Sequence, residues 1–318
     1  MLGASTSGAI EAANAPTGGW TSVRNPESGS THVIYGIACP TTTMCTAVGD
    51  AALTTTDGGR TWTRRPVSNL VGDDEGSLSS VSCPDTTTCI AVQLGFDHIF
   101  ARTGVHNAWH EVGDNAAAIG FGSISCATSK FCMAVGWGAT PGVGVVTTRD
   151  GGRHWTLRLN PSAGHDPFYP QSLNGVSCIS AERCVVVGDG IMHTVDGGAS
   201  WTLDYRPPEG MDAITCPTSS SCYMVGYSGG VYVTHNGGKT WNKRSASTRH
   251  RLWSIACWTA TRCIAVGEKG TILATMDAGN TWLSQRSGTN ASLQGVACTP
   301  SGRCYAVGEK GTILEATP

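Results

Sequence analysis

Charge is scarce in this chain and balanced where it occurs. Asp, Glu, Lys and Arg together make up 14% of the residues, and the formal net charge is -2. So even a balance exerts no global pull on nucleic acid. Long apolar runs are missing as well, and none approaches the ~20 residues of a membrane span. No stretch carries a helical period with caps over three turns, which argues against a helical or doubly wound architecture. Met1 to Thr17 is small and polar. It has neither the basic start nor the apolar run of a signal peptide.

What the chain does have is one spacing repeated seven times: a Cys, five residues, and a second Cys. The pairs are Cys39/Cys45, Cys83/Cys89, Cys126/Cys132, Cys178/Cys184, Cys216/Cys222, Cys257/Cys263 and Cys298/Cys304, and they use all 14 cysteines. First cysteines of successive pairs lie 44, 43, 52, 38, 41 and 41 residues apart. A period of about 40–50 residues is that of one four-stranded propeller blade.

Each copy divides into short strands bounded by Gly, Pro, Asn and Asp, the all-β signal. In the last copy, Leu293 to Cys298 reads as a strand, Thr299 to Arg303 as a turn and Cys304 to Gly308 as a second strand. Glu309–Lys310–Gly311 is a tight turn before a third strand, Thr312 to Ala316. That copy ends without a fourth strand, and Gly18–Gly19–Trp20–Thr21 resembles the turn that opens the fourth strand elsewhere. The N-terminal segment is therefore expected to supply the outer strand of blade 7, closing the ring and leaving no open edge. The predicted fold is all-β: a seven-bladed propeller of four-stranded antiparallel blades. Residues 1–17 are expected to be a flexible segment and 18–318 one propeller. The blades fall near 34–66, 78–112, 121–159, 173–206, 211–246, 252–287, and 293–316 with 18–24.

The turn before the fourth strand repeats too. Asp57–Gly–Gly–Arg–Thr–Trp62, Asp150–Gly–Gly–Arg–His–Trp155, Asp196–Gly–Gly–Ala–Ser–Trp201 and Asp277–Ala–Gly–Asn–Thr–Trp282 look like Asp boxes, with Asn236–Gly–Gly–Lys–Thr–Trp241 a variant. The short acid accepts nearby backbone N–H groups and shapes the turn. The Trp is expected to bury its ring with the indole N–H satisfied. Five near-copies around a ring are too many for one active site, so these acids read as structural. With the phrase AVG-x-x-G-x-I before them, they make the chain resemble the Asp-box (BNR-repeat) propellers, and most closely the photosystem II stability/assembly factors and their relatives outside photosynthesis. The resemblance implies a seven-bladed ring and a non-catalytic, protein-binding role. Sialidases and xyloglucan hydrolases share the boxes, but no catalytic residue of theirs maps onto a numbered position here.

For the cysteines, seven metal sites would need further ligands, and no His recurs beside them. Zinc hairpins usually space cysteines by two to four residues. Residues six apart across a five-residue hairpin turn sit opposite each other, ~4.5–5.5 Å between Cα atoms, which a disulfide accepts. One disulfide per blade is expected, with no metal and no cofactor. Closing each short loop contributes roughly 2.4 kcal/mol in the loop-entropy picture. Such a chain matures in an oxidising compartment. The expectation is a secreted or extracytoplasmic monomer whose signal peptide is absent from this sequence.

Function is sought where the repeat fails. Loops between blades, and turns between second and third strands, share one face, the upper one. Longer loops there gather Asp73, Asp74, Glu75, Asp97, His98, Trp137, His165, Asp166, Phe168 and Tyr169. Rings beside carboxylates suit a sugar, and Asp74, Asp97, His98 and Asp166 are the candidate catalytic groups for a glycoside hydrolase or polysaccharide lyase. A second sector holds Lys243, Arg244, Arg249, His250, Arg251 and Trp253, which suits an anionic glycan or acidic partner. Asp50, Asp189, Glu268 and Glu309 occupy equivalent turns and could form an acidic rim. The plain alternative in each case is a solvated polar loop. The favoured function is a recognition scaffold for a protein or polysaccharide; the alternative is the carbohydrate-active enzyme. Native protein exposed to an alkylating agent should gain no mass, and should gain fourteen adducts only after reduction. Fourteen reactive thiols before reduction would remove the disulfide reading.

Overall fold

The computed structural model describes residues 19–67, 76–104, 107–112, 119–138, 143–159 and 170–317. Blade 1 comprises β2 (Ile34–Ala38), β3 (Cys45–Gly49), β4 (Ala52–Thr55) and β5 (Thr63–Arg65), preceded in the chain by β1 (Thr21–Ser22). Blade 2 holds β6 (Leu78–Ser82), β7 (Thr88–Gln93), β8 (Ile99–Thr103) and β9 (His110–Glu111). Blade 3 holds β10 (Ile119–Cys126), β11 (Cys132–Gly138), β12 (Val143–Thr148) and β13 (Thr156–Leu159). Blade 4 holds β14 (Leu173–Cys178), β15 (Cys184–Gly188), β16 (Ile191–Thr194) and β17 (Thr202–Tyr205). Blade 5 holds β18 (Met211–Thr215), β19 (Cys222–Gly226), β20 (Val231–Thr234) and β21 (Asn242–Lys243). Blade 6 holds β22 (Leu252–Cys257), β23 (Cys263–Gly267), β24 (Ile272–Thr275) and β25 (Leu283–Gln285). Blade 7 holds β26 (Leu293–Cys298), β27 (Cys304–Gly308) and β28 (Thr312–Ala316), with bounds that coincide with those read from the sequence.

All seven sheets are four-stranded, and the fourth strand of blade 7 is β1. It pairs antiparallel with β28, Thr21 opposite Glu315 and Ser22 opposite Leu314. Two residues of ladder are a thin clasp, and Trp20 reinforces it. Its ring is 7% exposed and packs with Ile272, Ala274 and Leu314, and its Nε1 donates to Gln285 Oε1 at 2.8 Å. Burying such a side chain contributes about 2–3 kcal/mol.

The apolar residues form seven clusters, and each cluster joins two neighbouring blades. That is why the second strands, such as Cys45–Gly49 and Cys263–Gly267, are buried at every position: both of their faces meet other blades. Hydroxyls stitch the inner strands together. Ser82, Ser125 and Ser177 accept from the backbone N–H of Cys126, Cys178 and Cys216 in the following blade, at 3.0, 3.0 and 3.1 Å.

A disulfide closes the first hairpin of every blade, with no free cysteine among the described residues. Cα separations run from 3.9 Å at Cys126/Cys132 to 4.1 Å at Cys39/Cys45. These are closer than the ~4.5 Å of an unlinked facing pair, because the sulfur link draws the two hairpin arms together. Seven disulfides place the chain in an oxidising, extracytoplasmic setting. Among the described residues no helix is long and apolar enough to cross a membrane.

The Asp boxes are hydrogen-bond knots. Asp57 accepts the Thr61 backbone N–H at 2.9 Å and the Thr61 hydroxyl at 2.6 Å, while the Thr55 hydroxyl donates to Asp57 at 2.8 Å and accepts from Gly59 N–H at 3.0 Å. Gly59 has φ +82°, and a Cβ there would lie 2.6 Å from the Tyr305 hydroxyl. The close approach is used: Tyr305 of blade 7 donates to the Gly58 carbonyl of blade 1 at 2.8 Å. The expected indole hydrogen bond is made by Trp155, to the Gly152 carbonyl at 3.1 Å. For Trp62, Trp201, Trp241 and Trp282 the described residues supply no acceptor; ring burial outweighs one unmet N–H, and packing sets their orientation.

Blade 2 replaces its box by a different knot. Arg102 stands where the other boxes place Thr, opposite Cys89 as Thr55 is opposite Cys45. Fully buried, it donates to the Gly104 carbonyl and the Thr46 hydroxyl, both at 3.0 Å, and lies 5.7 Å from the Trp109 ring centre. Burial, and then the charge of Arg65, pull its guanidinium down to about 10.

The hydrogen bonds from the Thr61 hydroxyl and then its N–H hold the Asp57 carboxyl at about 2, below the ordinary 3.8. A lowered folded value means stabilisation present above pH ~4 and lost as the pH falls toward 2. Asn236 makes the same knot with its Nδ2 donating to Thr240 Oγ1 at 2.8 Å. Asp57→Asn should therefore keep the fold at pH 7 and lose less stability than the parent between pH 4 and 2 in urea titrations. Parallel losses would contradict this account.

Candidate functional site

On the upper face, one position compares directly around the ring. In every blade one residue near the start of the inner strand, the first in six blades and Phe121 in blade 3, pairs with the last residue of the second strand's buried run, as Ile34 pairs with Gly49 and Leu252 with Gly267. The residue after that partner is Asp50, Leu94, Trp137, Asp189, Tyr227, Glu268 or Glu309, in blade order. The four acids are caps. Asp50, Asp189, Glu268 and Glu309 accept the backbone N–H of Val33, Ser172, Arg251 and Ser292 at 2.7, 3.1, 3.2 and 3.0 Å. The expected acidic rim is thus spent on holding the inner strands. No group of His, Cys, Asp and Glu among the described residues is arranged to hold a metal.

Blades 2, 3 and 5 put apolar side chains at this position: Leu94, Trp137 and Tyr227, 37%, 41% and 42% exposed. The backbone pairing is kept, since Leu94 N–H and Tyr227 N–H still donate to Ser77 and Gly210 just as Glu268 N–H donates to Arg251. Only the side chain has changed its use. Around Trp137 the change is accommodated by two glycines of β10. A Cβ on Gly120 would lie 2.8 Å from the indole Nε1, and one on Gly122 3.3 Å from its Cζ3.

The residue that follows this position in each inner strand sits in a β-bulge and turns toward the axis. These residues are Tyr35, Ser79, Gly122, Asn174, Asp212, Trp253 and Gln294, and with their neighbours they line a central cavity of about 150 Å³. Between blades 5 and 6 its rim carries a tightly built cluster. Arg251 donates from Nε and Nη2 to both Asp212 oxygens, at 2.8 and 2.6 Å. Its guanidinium carbon lies 3.6 Å from the Tyr227 ring centre and 3.7 Å from that of Trp253. A planar cation held in a carboxylate fork and stacked on two rings is fixed in orientation. Burial pushes the Asp212 carboxyl up, and Arg251 opposes that shift.

Of the sequence-derived candidates, Asp73, Asp74, Glu75, His165, Asp166, Phe168 and Tyr169 lie outside the described residues. His98 Nδ1 meets Glu111 Oε1 at 2.6 Å, on the outermost strand of its own blade, while Asp97 is 4.0 Å from its Nε2. The imidazole therefore leans outward, and Trp137 leans inward over β10. The basic sector is divided in the same way. Lys243 is paired with Glu209 at 2.5 Å and Arg251 with Asp212, whereas Arg249 is exposed and His250 meets the Thr271 hydroxyl at 2.9 Å. Leu94, Asp212, Tyr227 and Tyr35 were missed from the sequence. Aligning the seven residues after the A-V-G phrase would have shown three of the turns departing from acid.

Residues 105–250 match the family described as photosynthesis system II assembly factor YCF48. No curated protein matches the chain. Among solved structures, one titled YCF48 bound to D1 peptide is 17% identical, covering 96% of this chain and 98% of that one, with a TM-score of 0.72. YCF48 from Cyanidioschyzon merolae is 18% identical over 94% and 99%, with a TM-score of 0.74. The GH74 enzyme of Niastella koreensis is 14% identical over 93% of this chain and 53% of its own, with a TM-score of 0.67. At such identities the likeness is one of fold, and the chain is an Asp-box propeller resembling the YCF48 proteins.

Arg251→Ala would leave the Asp212 carboxylate buried without its partner, and should cost about 3 kcal/mol in urea unfolding. Adding Asp212→Ala should recover part of that loss; strict additivity would mean that the two do not act as a pair.

Proposed function

We propose that this chain is a secreted, non-catalytic recognition scaffold that captures a polypeptide segment at its channel mouth. The observation that carries the reading is the ring position at which four blades place a capping acid and three place an exposed Leu94, Trp137 or Tyr227. Exposed Trp137, and Tyr227 stacked on the fixed Arg251, are of the residue types that dominate protein-binding hot spots. Leu94 favours a peptide over a sugar, since an aliphatic side chain gives a sugar ring no stacking face. Gln294 at the axis offers a carboxamide that can pair with a peptide's main chain. The rigid, disulfide-closed lower hairpins leave the upper face as the place for variation. That a structurally similar YCF48 protein is solved with a peptide bound supports the same use here.

A peptide-display selection against the whole protein tests this. Enriched peptides should carry aromatic or aliphatic residues. Trp137→Ala and Tyr227→Ala should each weaken them at least tenfold, about 1.4 kcal/mol. Leu283→Ala, an exposed outer-strand change, should leave them unaffected. Peptides indifferent to both site variants would refute the reading. So would turnover of a polysaccharide panel that His98→Ala abolishes, since that outcome would establish the enzyme instead.

A further inference from the structure

Away from the channel mouth, the upper face of blade 6 holds a groove of about 530 Å³. Its walls are the end of the connection from blade 5, the turn at Lys269, and the chain that follows β25. Every lining residue is polar or Gly; three are cationic or basic, His250, Lys269 and Arg286, and none is acidic. Lys269 and Arg286 are exposed.

The next blade explains what is unusual here. Four residues after the blade's Trp, blade 6 has Arg286 and blade 7's outer strand has Arg24. Lys269 and Lys310 occupy the same left-handed turn position, with φ 52° and 58°. Seven residues after the Trp, blade 7 supplies Glu27 and blade 6 supplies Thr289. The two sit alike: a Cβ on Gly311 would meet the Glu27 carbonyl, and one on Gly270 would meet that of Thr289. Glu27 takes His32 Nδ1 at 2.5 Å and Arg64 at 3.5 Å, so the blade 7 position carries a carboxylate. Thr289 carries none. In blade 6, His250 Nδ1 meets the Thr271 hydroxyl at 2.9 Å.

We infer that this groove binds an anionic oligosaccharide, one bearing sulfate or carboxylate groups on a hydroxyl-rich chain. Its volume is that of a small-ligand site. The two permanent cations and His250 would take the anionic groups, and the hydroxyls and carboxamides of Ser284, Gln285 and Asn290 would take the sugar hydroxyls. The groove lacks any apolar side chain against which a peptide side chain or a lipid tail could gain by burial. The inference is independent of the peptide reading, because none of its residues lines the channel mouth.

The test is calorimetry of the whole protein at low salt with four probes: a heparin tetrasaccharide, an oligogalacturonate of similar length, a neutral dextran oligosaccharide and poly-L-glutamate. One or both of the anionic sugars should bind, more weakly as salt rises, and dextran should not. Which of the two binds tells sulfate from uronate. Lys269→Ser (Ser228 is the native residue at that turn position in blade 5) and Arg286→Ser should each weaken binding at least tenfold. Thr289→Glu, which restores the carboxylate of blade 7, should abolish it, and Arg24→Ser should leave it unchanged. Dextran binding as well as the anionic sugars would overturn the inference, as would affinity untouched by Lys269→Ser and Arg286→Ser. Equal capture of poly-L-glutamate at the same residues would overturn it in favour of an acidic polypeptide.

Discussion

Apolar burial between neighbouring blades is the constraint on which the rest of this protein depends. No blade keeps a core to itself: each cluster, such as Ile34, Leu53 and Trp62 with Tyr305, Val307 and Ile313, is shared by two. A blade removed from its neighbours would expose both faces of its buried second strand. Closure is therefore an energetic requirement, and the chain meets it by returning its N-terminus to the last blade. Trp20, the Tyr305 hydroxyl on Gly58 and the serine stitches all serve the same joints.

The two faces of the ring are held differently, and this frees one of them. On the lower face, disulfides and most box turns repeat nearly unchanged, and blade 2, which has no box, fills the space with a buried Arg102. On the upper face the inner strands are held by carboxylates accepting one or two backbone N–H groups. Such a cap is worth on the order of 1 kcal/mol, so a ring stabilised by disulfides and shared cores tolerates its loss in three blades. Those three are where Leu94, Trp137 and Tyr227 face solvent. Exposed apolar surface has a cost, and its concentration at one structural position is the ground for proposing the channel mouth as a binding surface.

Much of this was legible in the residues. The Cys period gave the blade count, and Leu293 to Ala316 could be divided into strands and turns to the residue, because Gly, Pro and paired Cys punctuate short strands without ambiguity. The structural role of Asp57 and its copies followed from their number. The sites were less legible. The equivalence of Asp50, Asp189, Glu268 and Glu309 is legible in the sequence, but their use is not, because sequence does not tell an acid that faces a channel from one that caps a backbone N–H. His98 and Trp137 share the upper face of neighbouring blades, yet Glu111, on the outer strand that pairs with β8, holds the imidazole outward. The Thr289 for Glu27 exchange sits in plain view, seven residues after a Trp, but has no meaning until both are seen against the same turn glycine.

The sequence by itself determined the number of blades, their strand order, the pairing of the cysteines and the closing role of the N-terminus. Those are local or periodic properties, set by short-range spacing and by the need to leave no strand edge open. Only the tertiary structure decided which side chains share a surface: Arg251 in the Asp212 fork between Tyr227 and Trp253, and His250, Lys269 and Arg286 around one groove. These groups come from different strands and from either side of a blade joint. Their meeting depends on bulges, turn conformations and inter-blade packing that no spacing along the chain encodes.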